Sequence, residues 1–161
     1  TIGLMPGSRP SQIEKHLPLM IKIAEGLKFR IPSLRFKLIL LPECLLKSQL
    51  PPWLEVVLRE RHYAMAKCNF IVLSSGTASL EAGLLGIPHI FIYKPSLLDL
   101  ITSFFFVRIK EYNLVNIIMN TQVVPVFISP QPEIIIEKVL EYISNPLEQI
   151  KNHLLKLEKY F

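Results

Sequence analysis

The chain has 161 residues, of which 50% are hydrophobic, and its mean hydropathy is +0.38. A chain of this size builds one well-packed core but hardly two, which favours a single domain over residues 1–161. The formal net charge is +5, but the basic residues are scattered from Arg9 to Lys159 without a dense block interleaved with aromatic residues, which argues against a nucleic-acid-binding protein.

Short apolar runs alternate with segments of helical period along the first two thirds of the chain. Continuous apolar runs are typical of strands that are covered on both faces, as in a parallel sheet. The predicted strands cover residues 1–5, 36–41, 54–58, 70–73 and 89–93. Alternation of strands and helices with connections of this length predicts an α/β fold built on a doubly wound parallel sheet.

Helices are predicted between and after these strands. The first begins with Ser11 and Glu14 in the S-x-x-E spacing of a capping box, and Pro18 is expected to kink it. A second helix over about residues 77–85 ends at Gly86, a residue common at helix C-termini. Two further helices are predicted over residues 132–144 and 147–160.

The rest of the sequence contains no motif that indicates a metal site, a cofactor or a targeting segment. Cys44 and Cys68 have no partner in C-x-x-C spacing and are predicted to be buried thiols in a reducing compartment, and the four histidines form no ligand motif. The N-terminus does not resemble a signal peptide and is interpreted as a cut made just before a strand. The apolar segment 96–109 contains Asp99 and is shorter than the roughly 20 residues of a spanning helix, so it could lie on a membrane but not cross one.

The loop after the first predicted strand, "MPGSRPS", has the chemistry of an anion site. Gly7 and Ser8 allow a tight turn, and Arg9 stands just before a helix. A cation at that end opposes the helix macrodipole by roughly a few tenths of a kcal/mol unless an anion lies between them. We therefore expect a phosphate here, in keeping with the mild positive charge of the chain; a surface arginine that points into water is the alternative.

The loop after the predicted strand 70–73 reads "SSGTASLE". The backbone amides of Ser75, Gly76 and Thr77 are expected to point at a ligand above the helix, and their small side chains would let a diphosphate approach. Glu81 does not complete a capping box with Thr77, because that position is residue 80, a leucine. The two hydroxyls of a ribose would suit a carboxylate one turn behind a phosphate loop; a carboxylate favoured only by the helix dipole is the alternative.

Three blocks of the sequence together resemble one family. "LMPGSRPSQIEKHLP", "SSGTASLEAGLLGIPHIFIYK" and "YNLVNIIMNTQVVP" are similar to the Leu-Pro-Gly-Ser-Arg, Ser-Gly-Thr-Ala-Thr-Leu-Glu and Leu-Pro-Asn-Ile-Leu blocks of the lipid-A-disaccharide synthases, in the same order. The resemblance extends over almost the whole chain and concerns the C-terminal, UDP-sugar-binding half of these inverting GT-B-type enzymes, which have two Rossmann-like domains. It implies the transfer of diacylglucosamine from its UDP donor to a diacylglucosamine 1-phosphate, without a metal or another cofactor.

The resemblance also implies which residues bind the donor. They are Gly7, Ser8, Arg9, Ser75, Gly76, Thr77, Glu81 and Asn116. The first loop would contact the diphosphate, with Arg9 as leaving-group stabiliser, and the second loop would cradle it, while Glu81 would hold the ribose and Asn116 would lie near the donor. The general base is expected in an N-terminal acceptor half, outside this sequence or on a separate chain, so the isolated chain would bind the donor weakly and turn over nothing.

Two positions depart from the family pattern. Val126 and Ser129 stand where a Pro-Glu-Leu-Leu-Gln block has a carboxylate and an amide, which would cost the donor site roughly several kcal/mol, and Gln131 recovers the amide only if the loop shifts. The segment 97–109 falls where the family meets the membrane and acyl chains. It implies a cytoplasmic, peripheral protein on the inner face of the inner membrane of a Gram-negative bacterium; a core helix is the alternative.

Two other functions stay open. One is another UDP-GlcNAc-using enzyme of the same architecture, although the Pro-Gly-Ser-Arg loop and the phenylalanine-rich segment 104–106 argue against it. The other is a non-catalytic half-domain that binds a nucleotide or a partner protein, which Val126 and the unmatched acceptor half favour.

Overall fold

The fold is taken from a computed structural model that describes residues 1–42, 49–95 and 113–144, together with Leu154 and Leu157. Three of the sequence predictions lie outside these residues. They are the predicted burial of Cys44, the apolar segment 97–109 and, apart from the two leucines, the helix over 147–160.

Six parallel strands form one sheet in the order β3-β2-β1-β4-β5-β6. The strands are β1 (Ile2–Met5), β2 (Phe36–Ile39), β3 (Leu54–Val57), β4 (Phe70–Leu73), β5 (His89–Tyr93) and β6 (Val126–Ile128). The first five are the predicted strands, and the predicted doubly wound α/β fold is confirmed. β6 was not predicted, because Pro125 interrupts its apolar run and proline is confined to the start or edge of strands.

Five helices are described in these ranges. They are α1 (Pro10–Arg30), α2 (Arg61–Ala66), α3 (Gly76–Leu84), α4 (Leu114–Met119) and α5 (Pro132–Ser144). The prediction for α5 is confirmed at both ends, and α3 is shifted by one residue from its prediction. α2 and α4 were not predicted, because six residues are too few to display a helical period.

The predicted capping box at the start of α1 is wrong. The helix begins at Pro10, so Ser11 lies inside its first turn, and Arg9 occupies the N-cap position without a side-chain cap hydrogen bond. Proline is favoured at the first helical position, because the N–H that it lacks would have no partner there. The helix continues through Pro18.

The sheet is covered on both faces. On one face α1 and α5 pack against alternate strand residues such as Leu4, Phe36 and Val72. On the other face α2, α3 and α4 pack against the residues between them, such as Ile71 and Leu73. Every strand except the edge strands is therefore buried from both sides, which explains the continuous apolar runs in the sequence.

The prediction of a buried thiol is confirmed for Cys68. The side chain packs in the core on the α2 and α3 face, and its Sγ donates a weak hydrogen bond to the Ala64 carbonyl over 3.3 Å. Burial raises the pKa of the Cys68 thiol to about 11, so the thiol stays protonated at neutral pH. None of the described helices is both long and apolar enough to cross a bilayer.

The strand order creates a crevice between β1 and β4. The helix that follows β1 covers one face of the sheet, whereas the helix that follows β4 covers the other. The two connections diverge at the carboxyl ends of neighbouring strands, which is where ligands bind in open α/β sheets.

Candidate functional site

Two loops that the sequence singled out leave the sheet side by side. Met5 pairs with Leu73 at the ends of β1 and β4, and the Ser74 amide donates to the Met5 carbonyl over 3.0 Å. A cavity of about 220 Å³ opens at this point, and Ser8 and Thr77 line it from the two loops. The fold therefore brings two segments that are almost 70 residues apart in the sequence together around one cavity.

The cavity is lined by both polar and apolar residues. The predicted site residues that line it are Gly7, Ser8, Ser75 and Thr77, whereas Gly76 is not among the lining residues. The apolar part of the lining consists of Met5, Ala78 and residues 39–41 at the end of β2. This combination suits a ligand with a charged part and an apolar, flat part.

Gly7 gives the first loop its shape. Its φ angle is +116°, a region that residues with a side chain rarely adopt, and a Cβ at this position would lie 2.7 Å from the Gln12 Oε1. Glycine lets the chain turn directly from the end of β1 to the start of α1 and keeps Ser8 at the cavity.

The N-termini of α1 and α3 both lack a side-chain cap. Arg9 and Ser75 are their N-cap residues, both with extended backbone, and neither first turn carries an acidic residue. The Ser75 hydroxyl instead lies 3.0 Å from the Thr77 hydroxyl. In α3 the amides of residues 76–78 are donors for an anion, and the helix dipole adds to this preference. In α1 the Ser11 amide is the corresponding donor, because Pro10 has no N–H and the Gln12 amide donates to the Arg9 carbonyl over 2.9 Å.

Arg9 lies at the rim rather than inside the cavity. It is exposed, it directly follows Ser8, and it is not among the residues that line the cavity. The predicted cation is therefore next to the hollow, at the N-terminal end of α1.

Arg61 is a lining residue that the sequence analysis missed. It is the first residue of α2, it lines the cavity, and its Nη2 lies 3.0 Å from the Glu81 Oε2. The signal that could have found it is the charged run "RER", which follows directly on β3 and so had to lie at the carboxyl edge of the sheet.

Glu81 lies beside the cavity and is paired with the lining residue Arg61. Its side chain is about a quarter exposed, it does not line the cavity itself, and the His62 Nε2 lies 3.4 Å from the same oxygen that faces Arg61. A carboxylate one turn behind Thr77 is thus held beside the hollow by an ion pair.

Asn116 is buried, and its amide is bound to the protein's own backbone. Its Oδ1 accepts from the amides of Val123 and Val124 over 2.9 and 2.8 Å, and its Nδ2 donates to the Val124 carbonyl over 2.8 Å. The helix that carries it, α4, packs beside the second loop, since Leu114 is the nearest side chain to Gly76. Asn116 shapes the connection from α4 to β6 and does not line the 220 Å³ cavity.

The two positions that depart from the family pattern lie away from this cavity. Val126 is half-buried in β6, and Ser129, with φ +47°, donates its amide to the Tyr93 carbonyl over 2.7 Å. Gln131 and Ser129 line a second cavity of about 260 Å³, together with Lys22 and Lys94. Within the described ranges, no three metal-ligating side chains come together.

A buried polar network stands behind the second loop. The Ser79 Oγ lies 2.8 Å from the His89 Nε2, and the Asn113 Nδ2 donates to the Ser79 Oγ over 2.7 Å. The Asn113 Oδ1 accepts from the amides of Val115 and Asn116 and so caps α4. The network connects α3, β5 and α4, and no motif in the sequence indicates it.

Comparison with known proteins identifies relatives of the whole chain. The sequence model of the family described as lipid-A-disaccharide synthetase matches residues 1–160. Lipid-A-disaccharide synthase 1 of Legionella pneumophila (strain Lens) is 30% identical over 171 residues, covering 98% of this chain and 44% of that protein. The lipid-A-disaccharide synthase of Syntrophus aciditrophicus (strain SB) is 34% identical over 155 residues, covering 91% of this chain and 40% of that protein. The chain thus spans less than half the length of these relatives.

A solved structure shares the fold. The spinosyn rhamnosyltransferase SpnG, complexed with thymidine diphosphate, superposes with a TM-score of 0.62 at 14% sequence identity, covering 99% of this chain and 40% of that chain. At this level of identity the likeness concerns the architecture, which is that of one half of a GT-B glycosyltransferase.

Proposed function

Since the chain belongs to the lipid-A-disaccharide synthetase family, we propose that it is the donor-binding half of a glycosyltransferase that makes the lipid A disaccharide. The donor would be UDP-diacylglucosamine and the acceptor a diacylglucosamine 1-phosphate. The observation that carries this proposal is the cavity beside two helix N-termini without a side-chain cap, with Ser8, Ser75 and Thr77 among its lining residues.

In this proposal the chain stabilises the leaving group. Negative charge builds up on the diphosphate as its bond to the sugar breaks, and fixed donors that face that charge lower the barrier. The amides of residues 76–78 in α3, the Ser11 amide in α1, the hydroxyls of Ser8, Ser75 and Thr77, and the guanidinium of Arg9 would supply them. The amides are held by the backbone, so they need little rearrangement as the charge develops.

Glu81 and Asn116 would act around this diphosphate site. Glu81 would accept hydrogen bonds from the ribose hydroxyls, since its carboxylate lies one turn behind Thr77 and beside the cavity. Asn116 would support the donor site indirectly, by fixing the backbone of residues 123–124.

The rest of the enzyme would be supplied from outside this chain. The chain matches less than half of its relatives, so we propose that an acceptor-binding domain with the general base completes the site, in the same polypeptide or on a partner. The apolar segment 97–109, with Arg108 and Lys110 as cations at its end, would hold the assembly at the cytoplasmic face of the inner membrane, as a peripheral protein.

Calorimetric titration of the chain with UDP tests the proposal. We expect one UDP site, without a requirement for a divalent metal ion, since amides and Arg9 would neutralise the diphosphate. The diacylated UDP-sugar should compete more strongly than UDP-GlcNAc; equal competition would favour a different UDP-GlcNAc enzyme of this architecture. Absence of UDP binding by the folded chain would refute the proposed function.

A further inference from the structure

An ion pair connects the cavity with the carboxylate beside it. The Arg61 Nη2 lies 3.0 Å from the Glu81 Oε2, and the two side chains are 25% and 28% exposed. Arg61 lines the cavity and Glu81 does not. Among the described residues that line this cavity, Arg61 is the one with a charged side chain. The position of the Glu81 carboxylate relative to a ligand in the cavity therefore depends on its ion pair with Arg61.

The two oxygens of Glu81 are in different environments. Oε2 is buried and makes no hydrogen bond of good geometry, although Arg61 and the more distant Nε2 of His62 lie within ion-pair range of it. Oε1 is not among the buried polar atoms that lack a partner, and no described donor binds it. A buried carboxylate oxygen without a hydrogen bond is costly unless a charge lies nearby. The guanidinium thus anchors one oxygen and leaves the other accessible.

A contribution to folding stability explains the ion pair between Arg61 and Glu81 poorly. Ion pairs between partly exposed side chains contribute little to the free energy of unfolding. The guanidinium charge, 3.0 Å from Oε2, nevertheless favours the orientation in which this oxygen of Glu81 faces Arg61. A role in orienting Glu81 accounts for the pair's position at the cavity better than a role in folding.

We propose that Arg61 is a positioning residue that determines nucleotide specificity: it fixes the Glu81 carboxylate so that its free oxygen selects a ribose over a deoxyribose. The inference rests on the proposed function, in which Glu81 holds the ribose of the donor. Without Arg61, the carboxylate would rotate into solvent, and the nucleotide would keep its diphosphate contacts but lose the contact with its 2′-hydroxyl.

The test compares the dissociation constants of UDP and 2′-deoxy-UDP by calorimetry. For the unmodified chain we expect a preference for UDP of roughly tenfold or more, the size expected for a hydrogen bond to a charged group. Arg61→Gln and Glu81→Gln should each reduce this preference to about twofold or less, and the double variant should reduce it no further, as for residues that act as a unit. Arg61→Lys, which keeps the charge but lacks the planar fork, should give an intermediate ratio.

A matched control is the Arg30→Gln variant. Arg30 forms an exposed ion pair with Glu137 over 2.9 Å, between the two helices on the opposite face of the sheet. The variant loses the same charge and the same kind of pair far from the cavity, so the UDP preference should not change. Thermal unfolding of every variant verifies that the ratios are measured on folded protein.

The outcomes separate this inference from the proposed function. If the unmodified chain does not bind UDP, the proposed function fails. If it binds UDP but shows no preference over 2′-deoxy-UDP, or if Arg61→Gln keeps the full preference that Glu81→Gln loses, the inference is overturned while donor binding stands. If Arg61→Gln weakens both nucleotides equally, Arg61 contacts a group that they share, and the positioning role is overturned.

Discussion

The Ser79 hydroxyl lies 2.8 Å from the His89 Nε2, deep behind the loop that forms one side of the cavity. The His89 Nδ1 faces the Ile87 carbonyl over 2.8 Å and must donate to it, so Nε2 is the acceptor for the Ser79 hydroxyl. Ser79 in turn accepts from Asn113, which caps α4. One directed chain of hydrogen bonds thus positions α3 and α4, the two helices that flank the second loop.

Removing the central hydroxyl should destabilise the fold. In Ser79→Ala the His89 Nε2 and the Asn113 Nδ2 both lose their hydrogen bond to the Ser79 hydroxyl and stay buried. A buried polar group without a partner costs about 1–3 kcal/mol. We expect the free energy of unfolding, measured by urea titration, to fall by about 2 kcal/mol or more. Ser33→Ala, at an exposed site, should change it by about 0.5 kcal/mol or less. Equal effects of the two variants would show that the network contributes nothing.

The same histidine should make the protein sensitive to acid. Burial lowers the pKa of His89 from 6.5 to about 4, so the unfolded state binds more protons between these values. The contribution of neutral His89 to the free energy of unfolding is fully present above pH 6.5 and is lost as the pH falls towards 4, a change of about 3 kcal/mol. Burial also lowers the pKa of His16, which adds a loss of the same sign.

Urea unfolding at about pH 7.5 and about pH 4.5 measures this loss. His89→Gln removes the titrating group while keeping a donor and an acceptor, so its stability should depend less on pH than that of the unmodified chain. An unchanged pH dependence in the variant would contradict the assignment to His89.

The sequence was sufficient for the features that depend on local pattern. Four of the five predicted strands, β1, β2, β4 and β5, lie inside the sheet and are covered on both faces, so their continuous apolar runs identified them. Glycine at position 7 marked a turn that requires a positive φ. It was misleading at Ser11, because the capping-box pattern overlaps a proline that starts the helix one residue earlier.

The features that depend on the connections between elements could not be read from the sequence. Arg61 and Glu81 are twenty residues apart in the chain, and they meet because α2 and α3 both begin at the carboxyl ends of the strands. Asn116 stood in a motif that resembles a ligand-binding block, yet its hydrogen bonds go to residues 123–124. Neither relationship leaves a periodic or compositional signal.

Removing the cation at the rim should weaken donor binding. Arg9→Ala is expected to reduce UDP affinity by about tenfold or more, because a hydrogen bond to a charged group contributes about 1.5–3 kcal/mol. The affinity of the variant should also depend less on salt concentration, since one charge has been removed. Calorimetry at two salt concentrations measures both effects.

Arg35→Ala is the control for Arg9. Arg35 is exposed at the amino end of β2, where its carbonyl accepts from the Ile2 amide, so it lies at the opposite edge of the sheet. Its removal lowers the net charge equally but should leave UDP affinity unchanged. Equal losses for the two variants would mean that net charge, and not the position of Arg9, attracts the nucleotide.

Gly7 should be far less tolerant of alanine than Gly76. At Gly7 a methyl group meets the Gln12 side chain at 2.7 Å and the φ of +116° is unfavourable, which together should cost about 1–2 kcal/mol of stability and weaken UDP binding. At Gly76 the nearest side-chain atom is 3.4 Å away, an ordinary contact, so stability should hardly change. Adding Gln12→Ala to Gly7→Ala removes the contact with the Gln12 Oε1 but leaves the Cβ of residue 12 at 2.9 Å, so it should restore only part of the loss. Full restoration would contradict the role of the backbone angle.

Asn116 should matter for folding more than for direct contact with the nucleotide. Asn116→Ala removes three hydrogen bonds to residues 123–124 in a buried position, so the free energy of unfolding should fall by about 2–4 kcal/mol. Asn116→Asp keeps the acceptor but loses the donor to Val124, and it should be destabilised as well because its charge is buried. Since the amide is already occupied, UDP affinity measured where Asn116→Ala is still folded should stay within about twofold of the unmodified chain. A tenfold loss in the folded variant would contradict this prediction and mean that the donor site depends strongly on Asn116, through direct contact or through the backbone of residues 123–124.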